Sequence, residues 1–463
     1  MSLLDHPLRE QAAAIAAGDA DAAELCEEAL ARIEERNPDL NAIVATFPEE
    51  SKRMLAEAPA GPLRGVPVVI KDEWPLPWRA ERFGAAQGLV EFRSGESAPY
   101  RALRDAGAVI AGVANMHELG ASSTGNVSVY GPARNPWDSS RCAGGSSSGP
   151  GSAVAGGLVA GAVGADGLGS VRYPAGYCGL TGLKPTYGRS AFEGHHIANS
   201  ETIVSGPLCL DAADCRLLAS VLFGEELRAH EPSGLRIGVV REPLWSNSQP
   251  GVEAACDSAL RALRDEVGGE LLELELPELA LWTISAVLVA QAEQSHLLTP
   301  ATLNSLDPEL SPIARGLLKL RAILPATATA RARLVRTKAR RELARRFEEL
   351  DLLAWPTLPA VAPPLDRPLV ELPAGTATAD QANVIHGAFA NLTGVPSISV
   401  PVGLSEGLPV GLQLTGPWGS DALLLDAAEA LERATEREFV RLRAPVALSN
   451  PATSSASPPG MPG

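Results

Sequence analysis

The sequence predicts an α/β protein, and three observations carry this prediction. Short β-branched runs alternate with amphipathic stretches along the 463 residues, which is typical of a sheet covered by helices. Hydrophobic residues make up 45% of the chain and charged residues 20%, a balance that suits a buried core and excludes global disorder. The 44 glycines and 38 prolines follow no fixed period, so they indicate turns and glycine-lined loops rather than a fibre.

The first part of the chain supplies helices and strands in alternating order. Residues 21–37 place apolar side chains on one stripe and acidic ones opposite, which predicts an amphipathic surface helix. A buried strand that ends at Lys71 is predicted by the run GVPVVIKD at 65–72. A helix near 98–106 then leads into a second strand at 109–112.

The centre of the chain, residues 143–189, is crowded with serine and glycine. A small-residue helix is predicted to follow Pro150, because the missing N–H of a proline at the first helical position would be unpaired anyway. Residues 331–350 predict a second amphipathic helix, and eight basic residues lie between Arg331 and Arg346. Further buried strands are predicted by LLAWPTLP and PSISVPVGL, and a hairpin or the start of a strand by GLPVGLQLTG.

Charge, cysteine content and hydropathy argue against several classes of protein. The net charge of −16 disfavours a broad nucleic-acid-binding face, and the basic segment 331–346 lacks interleaved aromatics, so we interpret it as a solvated helix face. Six cysteines without a C-x-x-C pair indicate reduced thiols in a cytoplasmic protein. No signal peptide is apparent, and the most apolar stretch, 153–165, is too short to span a bilayer.

The glycine-rich centre contains neither a phosphate loop nor a dinucleotide fingerprint, and no G-x-S-x-G elbow is found around Ser170. The seven histidines show no zinc-binding spacing, and we interpret His195 and His196 as part of a polar loop. The chemistry that these exclusions leave is catalysis by a serine nucleophile that a group other than histidine activates. Lysine can activate a serine when burial keeps its amine neutral, and Lys71 at a strand end is the candidate, with a solvated surface charge as the alternative.

Three segments resemble the amidase signature family: GVPVVIKD, AGGSSSGPGSAVAGGL and GADGLGSVRYPAGYCGLTGLKPTYGR. The similarity is strong from about Arg64 to Pro207 and weak between about 225 and 330. It resumes at FEELDLLAWPTLP and at NLTGVPSISVPVGLSEGLPVGLQLTG. The resemblance implies a single α/β/α domain with a central mixed β-sheet flanked by helices. This domain would cover residues 1–444 with its signature core at about 64–210, and a disordered Pro/Ser/Gly-rich tail would cover 445–463.

The resemblance further implies a Ser–Ser–Lys triad. Ser170 matches the family's nucleophile, Ser146 its bridging serine, whose peptide bond is cis, and Lys71 its base. Lys71 would take the proton of Ser146 while Ser146 takes that of Ser170, which then forms an acyl-enzyme with the substrate. Backbone N–H groups for the oxyanion are expected from Gly167, Leu168 and Gly169, together with Ser170. Supporting roles are expected for Ser147, Asp166 and Arg172, with helix capping as the alternative for Ser147.

Three departures from the family pattern lie close to these residues. Leu168 stands where a small residue is usual and adds bulk that would narrow the acyl pocket. The run Ser148-Gly149-Pro150-Gly151 replaces a more regular Gly-Gly-Ser-Ala and would shift the start of the helix that follows. Glu73 stands where the family often has asparagine, two residues after Lys71. We interpret all three as changes of specificity rather than as a loss of activity.

The function implied is hydrolysis of a small-molecule carboxylic amide by a stand-alone amidase, with no cofactor, metal, membrane or nucleic-acid partner; a homodimer stays open. One alternative is the glutaminase subunit of a tRNA-dependent glutamyl/aspartyl amidotransferase, which residues 115–138 resemble. The tyrosine that grips glutamine in that subunit, expected shortly before Val335 and Arg336, is absent. Another alternative is an impaired, binding-only homologue, against which the intact Lys71 and serines count.

Overall fold

An 11-stranded mixed sheet runs through the protein, with helices packed on it, and this arrangement confirms the predicted fold class. The computed structural model describes residues 2–85, 94–190, 192–195, 200–293 and 310–435. The predicted tail at 445–463 lies outside these residues.

The strands are short, and those at the centre of the sheet are buried along their length. The described strands are β1 (Ile43–Ala45), β2 (Pro67–Lys71), β3 (Val109–Ala114), β4 (Arg134–Asn135), β5 (Asp138–Cys142), β6 (Gly161–Asp166), β7 (Thr181–Lys184), β8 (Val204–Cys209), β9 (Arg236–Val240), β10 (Glu270–Leu274), β11 (Leu352–Pro356), β12 (Leu369–Leu372), β13 (Gly375–Thr378), β14 (Ser397–Ser405) and β15 (Leu408–Thr415). Their order in the large sheet is β1-β3-β2-β6-β8-β7-β14-β15-β11-β9-β10, while β4 pairs with β5 and β12 with β13 separately.

The helices are amphipathic or, near the centre of the chain, buried on all sides. The described α-helices are α1 (Leu8–Ala17), α2 (Ala22–Leu40), α3 (Pro48–Glu57), α4 (Ala98–Asp105), α5 (Ser148–Ala155), α6 (Arg172–Cys178), α7 (Ala212–Phe223), α8 (Pro250–Val267), α9 (Leu279–Glu293), α10 (Pro312–Ile323), α11 (Ala326–Glu349), α12 (Ala379–Thr393) and α13 (Asp421–Ala434). None of these helices is both long enough and apolar enough to cross a membrane.

The elements predicted from sequence periodicity are confirmed: the first amphipathic helix is α2, the strand that ends at Lys71 is β2, and the last two strands form the hairpin β14–β15. Two helices begin earlier than predicted. α5 begins at Ser148, so Pro150 occupies its third position, where a helical N–H has no intrahelical partner either. α11 begins at Ala326, five residues before the predicted start at Arg331. The alanines in this first turn favour a helix but add little to the apolar stripe from which the start was predicted.

All six cysteines lie among the described residues, where each is buried and none is paired in a disulfide. The helices α8 and α13 pack on β14, and α6 packs on β15, so the C-terminal hairpin is covered by helices. Burial on this scale is the main favourable contribution to folding.

Strands β2 and β6 are parallel neighbours and place the functional loops at one edge of the sheet. Lys71 is the last residue of β2, and Asp166 is the last residue of β6. Because the carboxyl ends of parallel strands meet at the same edge, the loops that follow both strands lie together there.

Candidate active site

The amine of Lys71 is fully buried at the end of β2 and contacts Ser146. Its Nζ donates to Ser146 Oγ at 2.8 Å and lies 3.4 Å from the carbonyl oxygen of Ala165. The Gly145–Ser146 peptide bond is cis, as in the family that the sequence resembles. The structure therefore brings together the predicted base and the predicted bridging serine, which are 75 residues apart in the chain.

A carboxylate also contacts this amine, which the sequence did not lead us to expect. Glu73 Oε2 lies 2.6 Å from Lys71 Nζ, and Glu73 Oε1 lies 2.9 Å from His195 Nε2. Burial by itself would raise the pKa of Glu73, but the charge of Lys71 and the hydrogen bond with His195 lower it to about 2. Lys71 is thus one half of a buried ion pair and not the isolated amine that its strand-end position predicted.

His195 is buried, so its interpretation as a polar loop residue is wrong. Its ring stacks on Phe192 with the centroids 4.6 Å apart, and it meets the rings of Trp74 and Phe83 edge-on. Apolar rings on these sides hold the imidazole in place beside Glu73. The neighbouring residue, His196, lies outside the described residues.

The loop between β6 and α6 carries Ser170, and a buried ion pair fixes its shape. The carboxylate of Asp166 accepts the N–H of Gly169 at 2.8 Å and that of Val171 at 3.1 Å. Arg172 donates to both carboxylate oxygens at 3.0 Å, and both side chains are fully buried. Burial would raise the pKa of Asp166, but the Arg172 guanidinium holds it well below its usual range.

The backbone of Ser170 is bonded to the serine-rich segment. The N–H of Ser147 donates to the carbonyl oxygen of Ser170 at 3.3 Å, so Ser170 lies beside Ser146. The Ser147 hydroxyl makes no capping bond to α5 and instead donates to the carbonyl oxygen of Ala165 at 3.2 Å. Because the same carbonyl oxygen faces Lys71 Nζ, Ser147 helps to fix the surroundings of the lysine.

Gly169 is required by the geometry of this loop. Its φ is +124°, and a Cβ there would lie 2.1 Å from the ring of Tyr173. Its N–H, one of the predicted oxyanion donors, is already bonded to Asp166 and is therefore engaged. The N–H groups of Gly167, Leu168 and Ser170 stay as the predicted donors.

Side chains from the last quarter of the chain complete the support of the loop, and the sequence did not single them out. Arg172 donates to Asn391 Oδ1 at 2.7 Å and to Gln413 Oε1 at 3.1 Å. Asn391 also donates to Asp166 Oδ1 at 2.9 Å. Both residues fall within segments that resemble the family, NLTGVP and GLPVGLQLTG, which is the one signal that could have identified them. Within the described ranges, no cluster of three metal-ligating side chains is present.

Comparison with known proteins identifies the class of enzyme as an amide hydrolase that acts on carbon–nitrogen bonds. The family model described as Amidase matches residues 24–425, which is most of the chain. The chain therefore belongs to the amidase family, and the resemblance drawn from its sequence is confirmed.

Similar proteins agree with this assignment. A glutamyl-tRNA(Gln) amidotransferase subunit of Chromohalobacter salexigens is 33% identical over 94% of this chain and 98% of its own length. The corresponding subunit of Thermus thermophilus is 34% identical over 96% of this chain and 99% of its own length. Among solved structures, an amidase shares 31% identity with a TM-score of 0.86 over 92% of this chain and 99% of its own. The solved structure of the same amidotransferase subunit from Thermotoga maritima shares 26% sequence identity. Its TM-score is 0.74, over 89% of this chain and 91% of its own.

These comparisons bear on the two enzymatic functions that the sequence left open. The names of the curated relatives support the alternative of an amidotransferase subunit better than the stand-alone amidase. Both functions occur in the amidase family, and both cleave a carbon–nitrogen bond.

Proposed function

We propose that this chain hydrolyses a carboxylic amide to an acid and an amine or ammonia through an acyl-enzyme on Ser170. The observation that carries the proposal is the buried 2.8 Å contact between Lys71 Nζ and Ser146 Oγ. A lysine in contact with a serine hydroxyl can accept its proton once the amine is neutral. Ser170 is half-buried and follows directly on the loop that Asp166 holds, so a substrate can reach it.

In the proposed relay, Lys71 takes the proton of Ser146 while Ser146 takes that of Ser170, whose oxygen attacks the carbonyl carbon of the amide. The N–H groups of Gly167, Leu168 and Ser170 stabilise the negative charge on the carbonyl oxygen. The proton then returns through Ser146 to the leaving nitrogen, and the carbon–nitrogen bond breaks. Water attacks the acyl-enzyme along the same relay and releases the acid.

A fluorophosphonate probe is expected to label Ser170, because such probes form a covalent bond with the oxygen of an activated serine. Mass spectrometry of tryptic peptides should place the added mass on the peptide that contains Ser170. Ser170→Ala should abolish the labelling. Ser148→Ala is the matched control, since Ser148 is a buried serine of the same serine-rich run outside the relay. Labelling that survives in Ser170→Ala would refute the assignment of the nucleophile.

A second candidate function is the glutaminase subunit of a tRNA-dependent amidotransferase, which the names of the curated relatives favour. Two observations count against it. The expected tyrosine is absent from the segment ATATARARLVR, which lies in α11. The TM-score is also higher with the solved amidase, 0.86, than with the solved amidotransferase subunit, 0.74.

The two candidates differ in their need for partners, which gives a direct test. We expect the purified chain alone to hydrolyse simple amides, because Lys71, Ser146, Ser170 and the loop that holds Ser170 all belong to this one chain. The assay compares aliphatic amides, aromatic amides and glutamine with the chain alone, and then with partner subunits and charged tRNA added. Activity that appears only after those additions would establish the second candidate.

A further inference from the structure

We propose that Glu73 is a positioning residue that fixes the amine of Lys71 against Ser146 and moves the onset of activity to higher pH. The inference rests on the proposed function, in which Lys71 is the base. It assigns a role to Glu73, one of the positions at which this chain departs from the family pattern.

Lys71 Nζ contacts three oxygen atoms. It forms an ion pair with Glu73 Oε2 at 2.6 Å, and it donates to Ser146 Oγ at 2.8 Å and to the carbonyl oxygen of Ala165 at 3.4 Å. The ion pair and the two hydrogen bonds together stabilise a buried charge that would otherwise be costly. In this arrangement Ser146 accepts a hydrogen from Lys71, so the amine must lose a proton before it can act as a base.

His195 holds the carboxylate in this orientation. Its Nε2 bonds Glu73 Oε1 at 2.9 Å, which leaves Oε2 directed at Lys71. The rings of Phe192, Trp74 and Phe83 pack around the imidazole, so the pair cannot turn toward solvent without breaking these contacts. The carboxylate is therefore fixed on both of its oxygens.

Other titratable groups near Lys71 do not replace Glu73 in this role. Asp72, the next residue in the chain, pairs with Arg79, whose guanidinium balances its charge. His117, whose backbone N–H bonds the carbonyl oxygen of Ser146, has a buried ring. Burial lowers the pKa of His117 to about 4, against the opposing effect of Asp380, so its ring is neutral at neutral pH. Glu73 is thus the acidic group that acts on Lys71 at contact distance.

This contact has two opposite effects on the reaction. A carboxylate beside an ammonium favours the charged form, so the fraction of enzyme with a free amine rises only at higher pH. Once Lys71 takes the proton of Ser146, however, it becomes an ammonium again, and Glu73 stabilises that charge as it develops. The pH at which activity begins is therefore higher than it would be without Glu73. The value of kcat/KM reached above that pH is higher as well.

The test is the pH dependence of kcat/KM on one amide substrate for wild type and Glu73→Gln. The glutamine keeps the size of the side chain and removes its charge, so the onset should move down by about 1–3 pH units. The plateau should fall by about tenfold or more. Glu432→Gln is the matched control, because Glu432 is a half-buried glutamate that accepts hydrogen bonds from Thr181 and Ala212. Burial raises the pKa of Glu432 to about 8, so it carries little charge at neutral pH, and its replacement should leave the onset in place.

The outcomes separate this inference from the proposed function. An onset in Glu73→Gln within about 0.5 pH units of wild type would overturn the inference, since contact with an opposite charge predicts a larger shift. Activity that persists in Lys71→Ala would overturn the proposed function instead. If Glu73→Gln does not fold, as judged by circular dichroism, Glu73→Asp decides. Its shorter carboxylate keeps the charge but lengthens the contact with Lys71 Nζ, so the onset should move down by less than about 1–3 pH units and the plateau should fall. An unchanged onset and an unchanged plateau would overturn the inference.

Discussion

Replacing Lys71 with alanine is expected to lower kcat/KM by at least about 10³-fold, because Ser146 alone is a poor base. The wild-type rate should rise with pH and then level off, because the proposed relay needs a neutral amine at Lys71. Lys71→Ala should lose this rise altogether. The pH–rate profiles of both proteins on one amide substrate measure the difference.

Two further variants sharpen this result. Lys71→Arg should be almost as inactive, since a guanidinium stays charged throughout the accessible range. Lys184→Met is the matched control, because Lys184 is another fully buried lysine and donates to the carbonyl oxygen of Pro185 at 2.7 Å. Its loss should leave the rise of the rate with pH intact. A rise that persists unchanged in Lys71→Ala would show that another group is the base.

Replacing Arg172 with methionine is expected to lower the free energy of unfolding by about 3–5 kcal/mol. The substitution leaves the Asp166 carboxylate fully buried without its partner, and it removes the bonds to Asn391 and Gln413. Urea unfolding of the variant and of wild type, followed by circular dichroism, measures the change.

The control for this substitution is Arg345→Met. Arg345 lies on α11, and 72% of its side chain is exposed while it pairs with Glu342. Its loss should change the free energy of unfolding by about 0.5 kcal/mol at most. If Arg172→Met were no less stable than this control, the ion pair with Asp166 would not be what holds the loop.

The parts of the site that the sequence predicted are those set by local pattern. The run GVPVVIKD has the composition of a buried strand, so the position of Lys71 at a strand end followed from it, while a solvated surface charge stayed as the alternative to a buried amine. The resemblance to the family then pointed to Ser146 as its partner. The 2.8 Å contact between the two agrees with that pairing.

The parts that the sequence did not predict depend on contacts between distant segments. Glu73 is only two residues from Lys71 in the chain, yet its effect depends on His195, which is 122 residues away. No periodicity in either segment encodes that distance, and a histidine in a polar stretch gives no sign that aromatic rings will enclose it. The starts of α5 and α11 were misplaced for a local reason, since small residues extend a helix without marking its apolar face.

The bonds from Arg172 to α12 and to the hairpin β14–β15 have a consequence for the synthesis of the protein. A ribosome that has added Arg172 must add 219 more residues before Asn391 exists and 241 before Gln413. At common rates of translation this takes about 10–50 s. The nascent chain thus carries both serines and the lysine well before the partners that shape the loop are made. The candidate active site is therefore completed only after Gln413 has been added, when β14 and β15 enter the sheet between β7 and β11.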